Sequence, residues 1–408
     1  RPPGRAAPAE GMGKTEKRAA IKKVREEQDG AVAAVQRPPA KGWLSRARRR
    51  PIAVGLPPVL AAAAAPALAA VLWPRSLDVV EPERVVKGDM TVGRFLSDFS
   101  AQRPVVVTDA WPSEGWLPEQ VARACPGAVI KTHRFDGGSR NWANHENLGE
   151  VPLQDYHAAS FAADLARRPS PPLYGFEMPL KTQCPGRLEG FAVPAFLAED
   201  AFHVATNGSG LGWPSVLLGP RGTQTGLHID THRLPFWIAV VGPGGRALKR
   251  VRIFKHDHLR LLRYGRAEND NNFHFDFDPW APNLRRYPEV ADEPVYETEL
   301  RAGDLLYIPG GSPHAVINLE DNLGVSMNFL DLKTLPSFAK NCGPGSPLCG
   351  IISGKGDRVI EELEARRRQE APMSYFEFAG LTGGRREFCA VHAEARRGHA
   401  PLDEYCGS

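Results

Sequence analysis

The sequence predicts a mainly β body with helical decorations, preceded by one membrane-spanning helix. Three observations carry that prediction. Residues 213 to 230 and 299 to 320 each read as strand, turn, strand, with apolar runs broken by Gly/Pro turns. Downstream of residue 336 the pattern changes, and "GDRVIEELEARRRQE" has the spacing of a charged amphipathic helix. Residues 52 to 73, "IAVGLPPVLAAAAAPALAAVLW", carry no charge and are long enough to cross a bilayer as a helix.

Composition bounds the rest. A chain of 408 residues has room for one large domain with appendages. With 51 basic against 47 acidic residues the net charge is +4, so no overall nucleic-acid signature is present. A hydrophobic fraction of 42% supplies an ample core. The charge asymmetry is local. Residues 1 to 50 form a basic arm, including "KTEKRAAIKKVREEQ" and "SRARRR", with little to bury; it is expected to be disordered outside a helix from 14 to 36.

Residues 51 to 74 follow as the expected signal anchor. Nine alanines and Pro57, Pro58 and Pro66 make it a mediocre span. Arg46, Arg48, Arg49 and Arg50 precede it, while Asp78, Glu81 and Glu83 follow. The positive-inside rule then leaves the N-terminus in the cytosol and the body in the lumen of the ER or Golgi. A cleaved signal or transit sequence, giving a secreted or organellar protein, is the alternative.

Chemistry concentrates in "RGTQTGLHIDTHRLPFW", residues 221 to 237. Positions i and i+2 of a strand share a face, so His228 and Asp230 can reach one ion. An imidazole and a carboxylate are two of the three ligands of the facial triad that holds non-heme Fe(II). The plainer alternative is a polar strand edge. A second His-x-Asp, His274-Phe-Asp276, lies between an Asn/Asp cluster and prolines and reads as an exposed loop. The third ligand has a candidate in His314, at the mouth of the hairpin "GDLLYIPGGSPHAVINL"; a satisfied strand-end histidine is the alternative.

Taken in order, "RPVVVTDAW", "LLGPRGTQTGLHID", "LKRVRIF", "FDPWAPNLRRYPEV", "GDLLYIPGGSPHAVINL" and "SMNF" resemble the JmjC/cupin-like oxygenases, in particular the lysyl hydroxylase and arginine demethylase branch. The resemblance covers residues 80 to 335 and implies a double-stranded β-helix, or jelly roll. It implies His228, Asp230 and His314 as catalytic metal ligands for Fe(II), with 2-oxoglutarate as cosubstrate and O2 as oxidant. It places Thr225, Lys249, Ser326 and Asn328 beside the cosubstrate, with Lys249 on its distal carboxylate. Trp237 stands where relatives have an asparagine that touches the cosubstrate, which implies a reshaped pocket. The implied reaction is hydroxylation of a C–H bond on a protein or peptide substrate, or demethylation where that bond belongs to an N-methyl group. Two rival functions stay open, a redox-inactive cupin-type metal protein such as an isomerase or sugar-binding module, and a scaffold with a decayed pocket.

The remaining motifs are secondary. Residues 336 to 408 form a cysteine-containing helical extension, and in some relatives the helices after the barrel make a homodimer. Six cysteines, with Cys342 and Cys349 spaced for a small loop, fit an oxidising compartment. Asn207-Gly208-Ser209 is a glycosylation sequon, relevant only to a lumenal domain. His256-Asp257-His258 is expected on an exposed turn.

Overall fold

A computed structural model describes residues 76–408, except 210, 270–271, 343–345 and 353–355. The basic arm and the expected membrane span at 52 to 73 lie outside the described residues. Among the described residues no helix is long and apolar enough to cross a membrane.

Eight strands build the frame: β1 (Ser215–Gly219), β2 (Gln224–Ile229), β3 (Phe236–Val241), β4 (Ala247–Phe254), β5 (Val295–Arg301), β6 (Leu305–Ile308), β7 (His314–Asn318) and β8 (Asn322–Asn328). They pair antiparallel as nested hairpins, β4 with β5, β3 with β6, β2 with β7 and β1 with β8. The chain changes sheet at every turn except β4 to β5. That pairing is the double-stranded β-helix of a jelly roll. One sheet has the order β6-β3-β8-β1 at its centre and the facing sheet β5-β4-β7-β2.

Added strands lengthen both sheets. Val105–Thr108 pairs with β6 and Tyr174–Pro179 with β1, while Asn272–Phe275 pairs with β2. The last of these corrects an expectation, because His274 is buried in a strand and not exposed on a loop. His258 is likewise buried, and its neighbours His256 and Asp257 do not join it in a metal-ligating cluster.

Strand alternation sorts the side chains into layers. Ile238 and Val240 of β3 face the space between the sheets, with Leu248, Val251, Leu306 and Ile308. Trp237, Ala239 and Val241 face the other way, into a second core shared with Phe95, Phe202, Tyr375 and Phe378 of the helical layer. A third core lies outside β2 and β4, where residues 255–294 fold back with Leu261, Phe275, Phe277 and Val290.

The C-terminal extension belongs to the helical layer. In helix Gly356–Arg366, Val359, Leu363 and Arg366 recur at helical spacing and are its buried residues. Arg366 is accommodated by donating to the Ala198 carbonyl at 3.1 Å and to Glu362 at 3.1 Å. Cys125–Cys184, Cys342–Cys349 and Cys389–Cys406 are disulfide-bonded, so no cysteine is free.

Candidate metal centre and its pocket

Register brings the three expected ligands together. β2 and β7 pair so that His314 lies opposite His228, and the two ring centroids are 4.3 Å apart. Asp230 follows the end of β2, where the chain turns through His232 and Arg233 in left-handed conformations (φ 52° and 57°). Its Oδ1 lies 3.5 Å from His228 Nε2 and 4.0 Å from His314 Nε2. One ligand atom from each residue falls within 4.8 Å of the other two.

Hydrogen bonds orient these atoms. His228 Nδ1 contacts the Gly226 carbonyl at 2.8 Å, and His314 Nδ1 contacts the Ser312 carbonyl at 3.1 Å. A carbonyl only accepts, so each Nδ1 carries the proton and each Nε2 presents a lone pair. Asn328 Nδ2 donates to Asp230 Oδ2 at 2.9 Å, which leaves Oδ1 toward the histidines.

Electrostatics agree with a cation site. Burial, with His228 alongside, lowers His314 to about 4, so it is neutral at pH 7. Burial alone would raise the Asp230 carboxyl, but His314, His228 and Asn328 outweigh it and hold it below its usual range. Two imidazoles and one carboxylate, converging in a buried place, suit a divalent ion of the non-heme iron type. The donor set fits the metal that the sequence implies.

The triad opens into a cavity of about 310 Å³ between the sheets. Thr225, Lys249, Ser326 and Asn328 line it with the triad, so all seven expected residues meet in one space. Lys249 projects from β4 opposite Asn318 of β7, and its Nζ donates to Asn318 Oδ1 at 2.6 Å. Asn318 is itself held by donating to Thr223 Oγ1 at 2.8 Å. Burial lowers the Lys249 ammonium to about 7, and among the described residues no acidic side chain pairs with it. Thr225 Oγ1 accepts from the Val316 amide at 3.1 Å, and the Ser326 hydroxyl lies 3.3 Å from that of Ser215. The β4–β7 pairing sets Lys249 four residues from the Ile253–His314 row, about 13 Å along the strand. A metal site and a buried ammonium thus share one cavity, an arrangement that accommodates a small dicarboxylate.

Trp237 differs from expectation. It faces the helical layer, with its ring 5.9 Å from Trp111, and does not line the cavity. Its neighbour Phe236 lines the cavity instead and stacks over His314 at 6.1 Å. Sequence reasoning missed Trp142, whose ring meets His228 edge-on at 4.5 Å, together with Tyr174, Phe176, Glu177 and Trp213. Nothing in their local sequence marks them, because they arrive from segments preceding β1.

Known proteins share this pattern. The sequence profile of the cupin-like domain matches residues 95–333. The chain is 23% identical to the lysine-specific demethylase JMJ21 of Arabidopsis thaliana, over 69% of this chain and 29% of that protein. It is 22% identical to the bifunctional arginine demethylase and lysyl-hydroxylase psr-1 of Caenorhabditis elegans, over 62% of each. It is 30% identical to the 2-oxoglutarate and iron-dependent oxygenase JMJD4 of Gallus gallus, over 28% of this chain and 26% of that protein. The chain therefore spans less than two thirds of the length of these relatives. With the profile matching more than half of its length on a jelly-roll frame, the chain belongs to the cupin-like domain family.

Proposed function

We propose that this protein is an Fe(II)- and 2-oxoglutarate-dependent oxygenase that hydroxylates or demethylates a side chain of a protein substrate. The observation that carries the reading is the shared cavity, with His228, Asp230 and His314 converging in it and the buried Lys249 ammonium without an acidic partner among the described residues. The relatives' names supply the reaction class, as arginine demethylase, lysyl-hydroxylase and iron-dependent oxygenase.

In this reading His228 Nε2, His314 Nε2 and one Asp230 oxygen hold the iron. Bound iron, with 2-oxoglutarate and O2, supplies the oxidising chemistry, coupling loss of CO2 and formation of succinate to C–H hydroxylation. The protein's part is positional. Asn328 fixes which carboxylate oxygen of Asp230 turns inward, and the two backbone carbonyls fix the ring tautomers. Lys249, already out of water, would hold the distal carboxylate of the cosubstrate by a charge-assisted hydrogen bond. Val251, Leu306 and Ile308 keep the cavity floor apolar.

The test is 2-oxoglutarate turnover by the full chain with Fe(II), screened over a peptide library. A redox-inactive cupin-type protein would bind metal through the same triad without consuming the cosubstrate. Iron-independent or absent consumption across the library contradicts the proposal.

The membrane topology is proposed on separate grounds. An anchor at residues 52–73, with the arginines cytosolic, places residues 76–408 in a lumen. The three disulfides support that placement, since such bonds persist in oxidising compartments. A tag after Ser408 should resist protease in intact microsomes. Digestion without detergent contradicts the lumenal assignment.

A further inference from the structure

Glu177 occupies an unusual position in the cavity wall. It belongs to the added strand Tyr174–Pro179, whose pairing with β1 steps from Gly175↔Leu218 to Met178↔Val216. Three residues advance on one strand against two on the other, which is a bulge. In a regular strand Phe176 and Glu177 would face opposite sides. Here both line the cavity, because Glu177 sits in the left-handed region at φ 44°. That conformation is disfavoured for a side chain with a Cβ, and a bulge beside a site commonly re-aims one side chain.

What the bulge delivers is a carboxylate among aromatic rings. Trp142, Phe176 and Trp213 line the same cavity as Glu177. Among the described residues no lysine or arginine forms an ion pair with Glu177, and the one lysine lining the cavity, Lys249, is donating to Asn318. A carboxylate in a partly dry, ring-walled space without an ion-pair partner is costly unless a ligand brings one.

We propose that Glu177 is the specificity-determining carboxylate of this site, receiving the cationic end of a substrate side chain, an ammonium or guanidinium with N–H donors, between aromatic walls. The inference rests on the proposed function and assigns that site its substrate charge. Carboxylate and ring faces are complementary to such a cation in two ways, by charge-assisted hydrogen bonding and by cation–π attraction. Burial raises the Glu177 carboxyl to about 7; the charge of Lys131 opposes the shift, and that of Asp230 adds to it. An incoming cation would therefore draw the group into its ionised form.

The test uses the full chain and two matched pairs of probes, n-butylguanidinium with butylurea and n-butylammonium with 1-butanol, titrated calorimetrically. The wild type should bind one of the cations on the order of ten- to a hundredfold more tightly than its neutral partner, as for a hydrogen bond to a charged group. Which cation wins separates the two substrate types. Glu177→Gln should erase the preference. Glu177→Gly relieves the left-handed strain, so it should melt at or above the wild-type temperature and still lose the preference. Absence of a cation preference in the wild type, or its persistence in both variants, overturns the inference. Binding of 2-oxoglutarate to the iron-loaded wild type is measured in parallel. Its failure would remove the proposed function, while the cation preference is read independently on the metal-free chain.

Discussion

Two His-x-Asp sequences sit side by side in this molecule, and only one contributes to a metal-ligating cluster. His228 of β2 and His274 of the adjacent strand are direct register partners, and both are buried. The difference is what lies on the far side. β2 is flanked by β7, which brings His314 opposite His228. His274 is one strand further out, so it stands two strand spacings from β7, about 10 Å. An ion reaches its ligands at roughly 2 Å and cannot bridge that gap. The dipeptide spacing is necessary; the third strand decides.

Breaking each motif should expose this asymmetry. His228→Ala removes a ligand, and should abolish Fe(II) binding in calorimetric titration together with all 2-oxoglutarate turnover. His274→Ala should keep the metal. Because the residue is buried, it should instead lower the melting temperature, by a stability loss of about 1–3 kcal/mol. Comparable loss of metal in both folded variants would refute the assignment.

A smaller effect is expected behind the ligands. Asn328→Ala frees the Asp230 carboxylate to rotate, and metal affinity should fall on the order of 10- to 100-fold. Lys249→Ala should weaken 2-oxoglutarate by a similar factor, about ten- to a hundredfold, with metal affinity unchanged. If the two variants exchange phenotypes, the assignment of one end to metal and the other to cosubstrate is wrong.

The smallest effect is in pH. Lys249 has a folded pKa of about 7, below its ordinary value, so the free protein loses the ammonium as pH rises through 7. Cosubstrate binding should therefore weaken above pH 7, by at most tenfold per unit, as each pKa unit of coupling corresponds to about 1.4 kcal/mol. The same depressed pKa acts oppositely on stability. Between pH 7 and the unfolded value the unfolded chain binds more protons, so this group makes folding more favourable as pH rises. Flat cosubstrate affinity from pH 6 to 9 would show that Lys249 does not contact the dianion.

How much of this could be read in the sequence varies from residue to residue. Strand periodicity and hairpin position made His228, Asp230 and His314 candidates only, with a polar strand edge and a strand-end histidine as alternatives; the family resemblance singled them out and also placed Lys249. The strand holding His274 was hidden by its Asn/Asp-rich surroundings, which argue for a loop until β2 offers an edge to pair with. Trp237 was misplaced by analogy, although alternation from Phe236 and Ile238 puts it on the opposite face. Glu177 left no local trace. Its orientation comes from a bulge against β1, a long-range event that no window of neighbouring residues encodes.

The central claim is that the β2–β7 triad and Lys249 together form an iron and 2-oxoglutarate site. Its most direct test is an anaerobic titration of the Fe(II)-loaded full chain with 2-oxoglutarate, followed by the visible absorption that arises when the cosubstrate chelates the metal. The account predicts a saturable band in the wild type and in His274→Ala, a right-shifted titration in Lys249→Ala, and no band in His228→Ala. A wild type that binds iron but develops no band, or a His228→Ala variant that develops the wild-type band, would contradict it.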